Sequence, residues 1–398
     1  MIRPALRLAL AALLLLAGAM SSLAQSFDTR AGAAYVYDQT TGTVLLAKNA
    51  DEPLPPASMS KLMTLYMAFE AIADGRLDID ERLPVSEHAM SFGGSTMFLD
   101  TTDRVRVEDL LRGIVVLSGN DACVVIAEAL SPDGTEAGFA RMMTERGRDL
   151  GLTQSTFVNS SGWPAAGHRM SMRDLGILAD RLITDYPTFY PLFAEETFEF
   201  DNRAPQNVSN RNPLLGLGIG ADGLKTGHTQ EAGYGLVGSA KQGDRRIVFV
   251  ITGLDSQQAR AEEAERIVNW AFRQFTEVDI LRAGTRIADA EVWMGEAPLV
   301  DLVAAEDLSL LVPVLGAGSL QAEVVYDGPI EAPIADGDRI ADLVIRLDDL
   351  PETRVPLVAG SAVPRGGFQA RLTVAADVLL GKWQDRRAPE APATDDGA

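Results

Sequence analysis

The chain has 398 residues, of which 46% are hydrophobic and 23% charged, and its formal net charge at pH 7 is −21. This length predicts two domains rather than one, because a single hydrophobic core rarely grows so large. The acidic balance and the lack of any basic run disfavour a nucleic-acid partner.

The first residues have the pattern of a secretory signal peptide. Arg3 and Arg7 precede an apolar run at 8–16, and small residues at 22–24 form a cleavage site. A membrane anchor is the alternative, but the run is short for a span and polar sequence follows at Gln25. We expect residues 1–24 to be removed and the mature protein to be periplasmic.

Cys123 is the only cysteine, so no disulfide can form within the chain. It lies in an apolar run at 122–129, which predicts a buried, inert thiol rather than a nucleophile.

Strand and helix patterns alternate unevenly over 26–276. A hairpin is predicted over 33–48 and a helix over 58–74, which Gly75 ends. The remaining predicted elements are helices at 107–117, 121–130, 138–150 and 172–184, strands at 233–239 and 247–254, and a helix at 256–274. Strands at both ends with helices between them predict one α+β domain with a shared sheet.

The pattern of residues changes near Thr276. Short alternating segments separated by turn signals, as at 327–329 and 336–338, predict a small all-β sandwich domain over 277–363. This region has no histidine and no catalytic cluster, so a structural or positioning role is favoured.

Beyond it, helical spacing predicts an amphipathic helix over 366–385, followed by an acidic, disordered tail over 386–398. Such a helix either lies on a membrane surface, which for an exported protein would be the outer face of the inner membrane, or packs on the protein. Its apolar face would be formed by Phe368, Leu372, Leu379 and Trp383.

Several kinds of active site can be set aside. His88, His168 and His228 have no spacing that makes a metal site, and nothing marks one of them as the base of a Ser-His-Asp hydrolase. The sequence has no Gly-rich phosphate loop after a strand and no G-x-S-x-G elbow. No metal or organic cofactor is expected.

A Ser-Lys pair remains. Ser58 and Lys61 stand three residues apart at the start of a predicted helix, on one face. A serine hydroxyl needs a base, and lysine can be that base only if burial or a nearby cation lowers its pKa. For this motif alone, a capping serine followed by a surface lysine is the alternative.

Two further motifs favour the catalytic interpretation. Ser118-Gly119-Asn120 places polar side chains inside a helical region, and Lys225-Thr226-Gly227 stands just before a late strand. Lysine, unlike arginine, can be deprotonated, and the chain has few lysines outside these motifs. In this order the three motifs form the set found in class A β-lactamases and penicillin-binding proteins.

With the supporting stretches 210–212 and 228–229, the chain resembles the low-molecular-mass penicillin-binding proteins that are serine-type D-alanyl-D-alanine carboxypeptidases. The resemblance runs from about residue 31 to the C-terminal helix. It implies a transpeptidase domain with an antiparallel sheet flanked by helices, followed by the β-domain. It also implies two partners, namely a peptidoglycan stem peptide ending in D-Ala-D-Ala and β-lactam antibiotics as covalent inhibitors.

The resemblance also implies catalytic roles. Ser58 would attack the D-Ala–D-Ala carbonyl and form an acyl-enzyme, with Lys61 as general base. Ser118 and Asn120 would pass a proton to the leaving amine and hold the peptide. Lys225 would lower the pKa of Lys61 by its positive charge.

Further residues would bind substrate. Thr226, with the neighbouring lysine, would bind the terminal carboxylate, and Gly227 would let the substrate backbone approach the strand edge. The backbone N–H groups of Ser58 and His228 would form the oxyanion hole. Arg260 either helps to bind the carboxylate or is a solvated arginine on a charged helix.

Three alternatives stay open. A class A β-lactamase would carry Asp in place of Gly119 and a Glu on a later loop, but residues 151–194 contain no Glu. A D,D-endopeptidase acting on cross-links would use the same acylation chemistry. A non-catalytic wall-binding protein would be expected to have lost Ser58 or Lys61.

Overall fold

The computed structural model describes residues 27–203, 205–314, 321–346 and 352–367. The predicted signal peptide, all but the start of the predicted 366–385 helix, and the predicted tail lie outside these residues. The chain divides into two compact units, and the first gives way to the second between Thr276 and Glu277. Within the described ranges, no helix has the length and apolar character needed to cross a membrane.

The first unit is built on a five-stranded antiparallel sheet whose order is β2-β1-β7-β6-β5. Strands from the two ends of this unit therefore meet in one sheet, as predicted, and β5 forms one edge. A separate pair, β3 and β4, lies outside this sheet. The strands are β1 (Ala33–Asp38), β2 (Thr43–Lys48), β3 (Arg82–Pro84), β4 (Arg104–Arg106), β5 (Ala221–Thr229), β6 (Gly233–Gln242) and β7 (Arg245–Leu254).

Helices cover this sheet and build the rest of the unit. Serine or threonine side chains cap several N-termini; Ser171, for example, accepts a hydrogen bond from the Asp174 amide. Gly75, with φ +72°, follows the first helix. The helices are α1 (Lys61–Ala73), α2 (Glu87–Met90), α3 (Val107–Arg112), α4 (Asn120–Leu130), α5 (Glu136–Asp149), α6 (Met172–Asp185) and α7 (Gln257–Arg273).

Both faces of the central sheet are buried. Val248 and Val250 of β7 belong to the apolar cluster that includes α1, α4 and α6. The alternate residues Phe249 and Ile251, which point to the other face, are also fully buried. Helix α7 packs against β6 and β7.

The sequence-based prediction missed the short strands β3 and β4 and, next to the predicted site, strand β5. Lys225-Thr226-Gly227 was expected just before a strand, but it lies inside β5, which pairs with β6. Gly223 and Gly227 lie within β5, and Gly220 directly precedes it. These residues weaken the strand pattern, because glycine has a low strand propensity. Strand β5 is nevertheless held by its ladder with β6.

The second unit is all-β, as predicted. Six strands form a sheet in the order β12-β14-β15-β10-β9-β13, and β8 pairs with β11. Leu310 of the pair shares one apolar core with Leu302 and Leu343 of the larger sheet. The strands are β8 (Phe275–Leu281), β9 (Arg286–Trp293), β10 (Leu299–Ala304), β11 (Leu308–Pro313), β12 (Gln321–Val325), β13 (Ile330–Glu331), β14 (Arg339–Arg346) and β15 (Thr353–Ala359).

Candidate active site

Ser58 lies in a short 3-10 turn, Ala57–Ser60, that leads directly into α1. Glycines allow neighbouring backbone to pack closely on this turn. A Cβ atom on Gly162 would lie 1.9 Å from the Ala57 carbonyl oxygen, and one on Gly227 would lie 3.0 Å from the Pro56 carbonyl oxygen. The nucleophile candidate is thus wedged between the loop that contains Gly162 and the edge strand β5.

This contact gives Gly227 a role in addition to the one that the resemblance implied. The sequence suggested that its missing side chain makes room for substrate backbone. In the structure the space is needed by the protein, because a Cβ there would also be 3.0 Å from Met59 Cγ. The glycine therefore fixes how closely β5 can approach the turn that carries Ser58.

Lys61 is fully buried and makes two hydrogen bonds from its Nζ atom. It donates to Ser58 Oγ at 2.8 Å and to the Ser161 carbonyl oxygen at 2.6 Å. Burial, with a smaller contribution from the charge of Arg211, lowers the pKa of Lys61 from 10.5 to about 8. The expected surface-lysine alternative is therefore wrong for this position.

The lowered pKa makes Lys61 usable as a base. A pKa of about 8 leaves roughly one Lys61 side chain in ten neutral at pH 7. An unperturbed lysine would be neutral in only about one molecule in three thousand. Burial, rather than the charge of Lys225 that the sequence suggested, is the main cause of this shift.

Ser118 sits at a break between two helical segments. A π-helical turn, Gly113–Leu117, ends there, Ser118 adopts left-handed backbone angles (φ 62°, ψ 35°), and α4 starts at Asn120. Its buried Oγ has no hydrogen-bond partner among the described residues. A buried hydroxyl without a partner is uncommon, and a site that takes a substrate explains it.

Asn120 and Asp121 hold a second segment beside this break. Asn120 Nδ2 donates to the Gly93 carbonyl oxygen at 2.8 Å, and the Asp121 carboxylate accepts from the Met97 and Leu99 amides. Asp121 directly follows the Ser118-Gly119-Asn120 motif, and no role was predicted for it from the sequence. Its carboxylate fixes the stretch from 93 to 99 against the start of α4.

Lys225 and Thr226 are buried on β5, only 3% and 6% exposed. Burial, together with the charge of Lys61, holds the pKa of Lys225 well below its usual value. Arg211 and Arg260 act on Lys225 in the same direction. Arg260 also contacts the Arg211 backbone, so positive charges gather here although the chain as a whole is strongly acidic.

Arg260 is buried, so the solvated-arginine alternative is wrong. It is 5% exposed, its Nη2 donates to the Arg211 carbonyl oxygen at 3.1 Å, and burial lowers its pKa to about 10. Its guanidinium lies 5.9 Å from the centroid of the Tyr234 ring. The exposed His228 side chain stacks on the same ring, with 3.8 Å between centroids.

Two contributors were not recognised in the sequence. Arg211 lies within the stretch 210–212 that supported the resemblance, but no role was given to it. It donates to Ser95 Oγ at 2.8 Å and to the Leu117 carbonyl oxygen at 3.1 Å. Ser161 contributes a backbone carbonyl to Lys61, and backbone contacts leave no signature in the residue type.

Together these groups can perform acyl transfer on an anionic substrate. The structure pairs Ser58 with Lys61, and Arg211 contacts both Arg260 and the Leu117 carbonyl oxygen next to Ser118. A hydroxyl activated by a neighbouring base is a nucleophile, and clustered buried cations favour binding of a carboxylate.

Comparisons with known proteins agree with this chemistry. A family profile described as D-alanyl-D-alanine carboxypeptidase matches residues 20–256. A second, described as the C-terminal domain of penicillin-binding protein 5, matches residues 275–365. Among curated proteins, the chain is 34% identical to D-alanyl-D-alanine carboxypeptidase DacD of Escherichia coli, over 87% of this chain and 90% of that protein.

Solved structures give the same result. Penicillin-binding protein 5 from Haemophilus influenzae aligns with a TM-score of 0.71 at 31% identity, covering 85% of this chain and 99% of that one. Penicillin-binding protein D2 from Listeria monocytogenes, solved in its ampicillin-bound form, aligns with a TM-score of 0.55 at 32% identity. That alignment covers 62% of this chain and 98% of the Listeria chain.

Proposed function

This chain belongs to the D-alanyl-D-alanine carboxypeptidase family and is a serine-type enzyme of that activity, and we propose that Ser58 is its nucleophile and Lys61 its base. The observation that carries the assignment is the 2.8 Å hydrogen bond between Lys61 Nζ and Ser58 Oγ, made by a fully buried lysine. The comparisons confirm the family and activity expected from the sequence, and the residue roles are proposals.

Acylation begins with a proton transfer. Neutral Lys61 takes the Ser58 hydroxyl proton as Oγ attacks the carbonyl of the D-Ala–D-Ala peptide bond. The backbone N–H groups of Ser58 and His228 stabilise the oxyanion. This part of the proposal is supported by the close packing of Gly227 on the turn that contains Ser58, because His228 is the next residue of β5.

Collapse of the intermediate expels D-alanine. Ser118 passes the proton to the leaving amine, while Asn120 holds the peptide. The C–N bond breaks and the ester to Ser58 remains, and water then hydrolyses the ester to release the shortened peptide. The unpartnered Ser118 Oγ supports this role, since the hydroxyl is free to bond to a reacting group.

The terminal carboxylate of the substrate is bound by Lys225, Thr226 and Arg260. An anionic partner stabilises these buried cations strongly, because its charge offsets the free-energy cost of burying theirs. The same carboxylate-binding groups would receive the carboxylate of a penicillin. We therefore propose that β-lactams acylate Ser58 and that the natural substrate is a peptidoglycan stem peptide ending in D-Ala-D-Ala.

The test uses the mature protein, a Ser58→Ala variant and, as a control, a Ser91→Ala variant at an exposed serine. Free D-alanine is measured after incubation with a muropeptide ending in D-Ala-D-Ala, and penicillin adducts are located by mass spectrometry. We expect release and a Ser58 adduct in the parent and control, and neither in Ser58→Ala. Release by a folded Ser58→Ala variant would refute the assigned nucleophile.

We further propose that residues 1–24 are cleaved and that the enzyme works in the periplasm. The support is the charged start, apolar run and small-residue site of the sequence. Protein recovered from a periplasmic fraction should begin at Gln25. An N-terminus at Met1 on the recovered protein would contradict cleavage.

Peripheral membrane contact through the predicted 366–385 helix is a separate proposal. It is supported by the apolar spacing of Phe368, Leu372 and Trp383. The mature chain should sediment with anionic lipid vesicles, and a chain ending at residue 365 should not. Equal sedimentation of the two chains would show that another part of the protein binds the vesicles.

A further inference from the structure

We propose that Glu136 is a positioning residue that holds the loop whose carbonyl orients Lys61. Glu136 is the first residue of α5 and is only 8% exposed. The inference depends on Lys61 being the base, as proposed above.

The orientation of Lys61 depends on the Ser161 carbonyl. A neutral amine has one lone pair, and it can accept the Ser58 proton only if that lone pair faces Oγ. The N–H bond from Lys61 Nζ to the Ser161 oxygen, at 2.6 Å, restricts the rotation of the amino group. Another position of the amino group then faces Ser58 Oγ at 2.8 Å, and in the neutral amine the lone pair can take that position. The position of this carbonyl therefore governs how often the pair is ready to react.

Glu136 holds the residue immediately before this carbonyl. Its Oε1 atom accepts two hydrogen bonds from Ser160, one from the backbone amide at 3.0 Å and one from the hydroxyl at 2.6 Å. Its Oε2 atom lies 3.0 Å from His88 Nε2. Both carboxylate oxygens are thus engaged, and the carboxylate is oriented from two sides.

A second bond joins the same loop to the helix of Lys61. Thr64 Oγ1, one turn along α1, donates to the Ser160 carbonyl oxygen at 2.6 Å. Asn159 Oδ1 also accepts from the Gly162 and Trp163 amides, which closes the loop on itself. The loop is therefore tied to α5 through Glu136 and to α1 through Thr64.

The arrangement joins segments that lie far apart in the sequence. Glu136 and Ser160 are too far along the chain from Lys61 to be joined by local geometry, being 75 and 99 residues away. The carboxylate bonds Ser160 through two donors, which restricts both the position and the rotation of that peptide unit. Substrate contacts are not required for this role, and we assign none to Glu136.

The test compares Glu136→Ala, which removes both acceptor oxygens, with Glu136→Gln, whose amide oxygen can still accept both Ser160 bonds. Glu145→Ala, at an exposed position of the same helix, is the matched control. The acylation rate with a fluorescent penicillin is measured from pH 6 to 9.5, and folding is checked by thermal denaturation.

We expect Glu136→Ala to acylate roughly tenfold to a hundredfold more slowly, because small displacements of reacting groups have effects of that size. Its pH profile should shift to lower pH, because a displaced Ser161 carbonyl would no longer favour the charged form of Lys61. Glu136→Gln should stay within about threefold of the parent. Glu145→Ala should match the parent.

The proposal is overturned if folded Glu136→Ala keeps the parent's rate and pH profile. It is also overturned if Glu136→Gln is as slow as Glu136→Ala, because charge rather than the Ser160 bonds would then matter. If Glu136→Ala does not fold, Thr64→Val decides: a profile shifted to lower pH supports the proposal, and an unchanged one overturns it. Normal acylation of a Lys61→Met variant would instead refute the proposed base itself.

Discussion

At the scale of single residues, the position and the protonation state of Lys61 have separate causes. Two hydrogen bonds fix its amino group between Ser58 and Ser161, whereas burial lowers its pKa to about 8. Burial of a charged lysine costs free energy, because the ammonium group loses its contact with water. The site keeps this cost because the neutral amine is the form that can accept a proton.

The pKa of Lys61 predicts how activity depends on pH. Because the base must be neutral, kcat/KM for D-alanine release should rise about tenfold per pH unit below pH 8 and level off above it. Lys61→Arg should be inactive at every pH, since a guanidinium cannot be deprotonated. The measurement is a D-alanine release assay from pH 5.5 to 9.5, and a flat profile would contradict the role.

Ser118 offers a test that separates catalysis from stability. Its buried Oγ has no partner among the described residues, so Ser118→Ala should change the free energy of unfolding by less than about 0.5 kcal/mol. D-Alanine release should fall roughly a hundredfold or more if this hydroxyl carries a proton in the reaction. Urea denaturation and the release assay measure the two quantities.

Ser86→Ala is the opposite control. The Ser86 hydroxyl oxygen accepts from the Ala89 amide at the start of α2, so its loss should cost about 1 kcal/mol of stability and leave turnover unchanged. Normal turnover in Ser118→Ala would show that the hydroxyl is not part of the proton path.

At the scale of elements, the site depends on how closely β5 packs against the turn before α1. This distance is set by Gly227, and by Gly235 on the neighbouring strand, whose added Cβ would lie 2.9 Å from Met59 Cε. The two glycines face the same turn from paired strands, since Gly227 pairs with Gly235.

Gly227→Ala should therefore separate the strand from the nucleophile. The added methyl group would meet Pro56 and Met59 at 3.0 Å, so we expect a loss of roughly 1–3 kcal/mol in stability and much slower acylation. Gly32→Ala is the control, because a Cβ there has only ordinary contacts at 3.7 Å. Acylation by a fluorescent penicillin at the parent's rate would show that the strand can shift freely.

At the scale of the whole molecule, every site residue lies in the first unit. One apolar core of that unit draws on residues from Ala33 to Val250, and the second unit has its own core. The Listeria relative, which aligns over 62% of this chain, was solved with ampicillin bound. Because every site residue of this chain lies in the first unit, we expect its chemistry to be separable from the β-domain.

A fragment of residues 25–276 should fold and be acylated by penicillin at a rate within about threefold of the full chain, since no site residue is removed. Its release of D-alanine from a small soluble peptide should be equally preserved. Circular dichroism and the two rate assays check this. A folded fragment that cannot be acylated would show that the β-domain shapes the site.

The sequence by itself determined the family, the α+β and all-β character of the two units, and the three catalytic motifs. Residue types at short, ordered spacings carried this information: a serine and a lysine one helical turn apart, and lysines where arginine could not act as a base. Apolar periodicity likewise located most helices and the strands of the hairpin.

Only the tertiary structure decided the rest. It placed Lys225-Thr226-Gly227 inside an edge strand, because pairing with β6 outweighs the weak strand propensity of its glycines. It buried Arg260, and it identified burial as the main cause of the lowered Lys61 pKa. Contacts between distant segments, such as the Ser161 carbonyl with Lys61, depend on chain packing, which no local pattern of residues encodes.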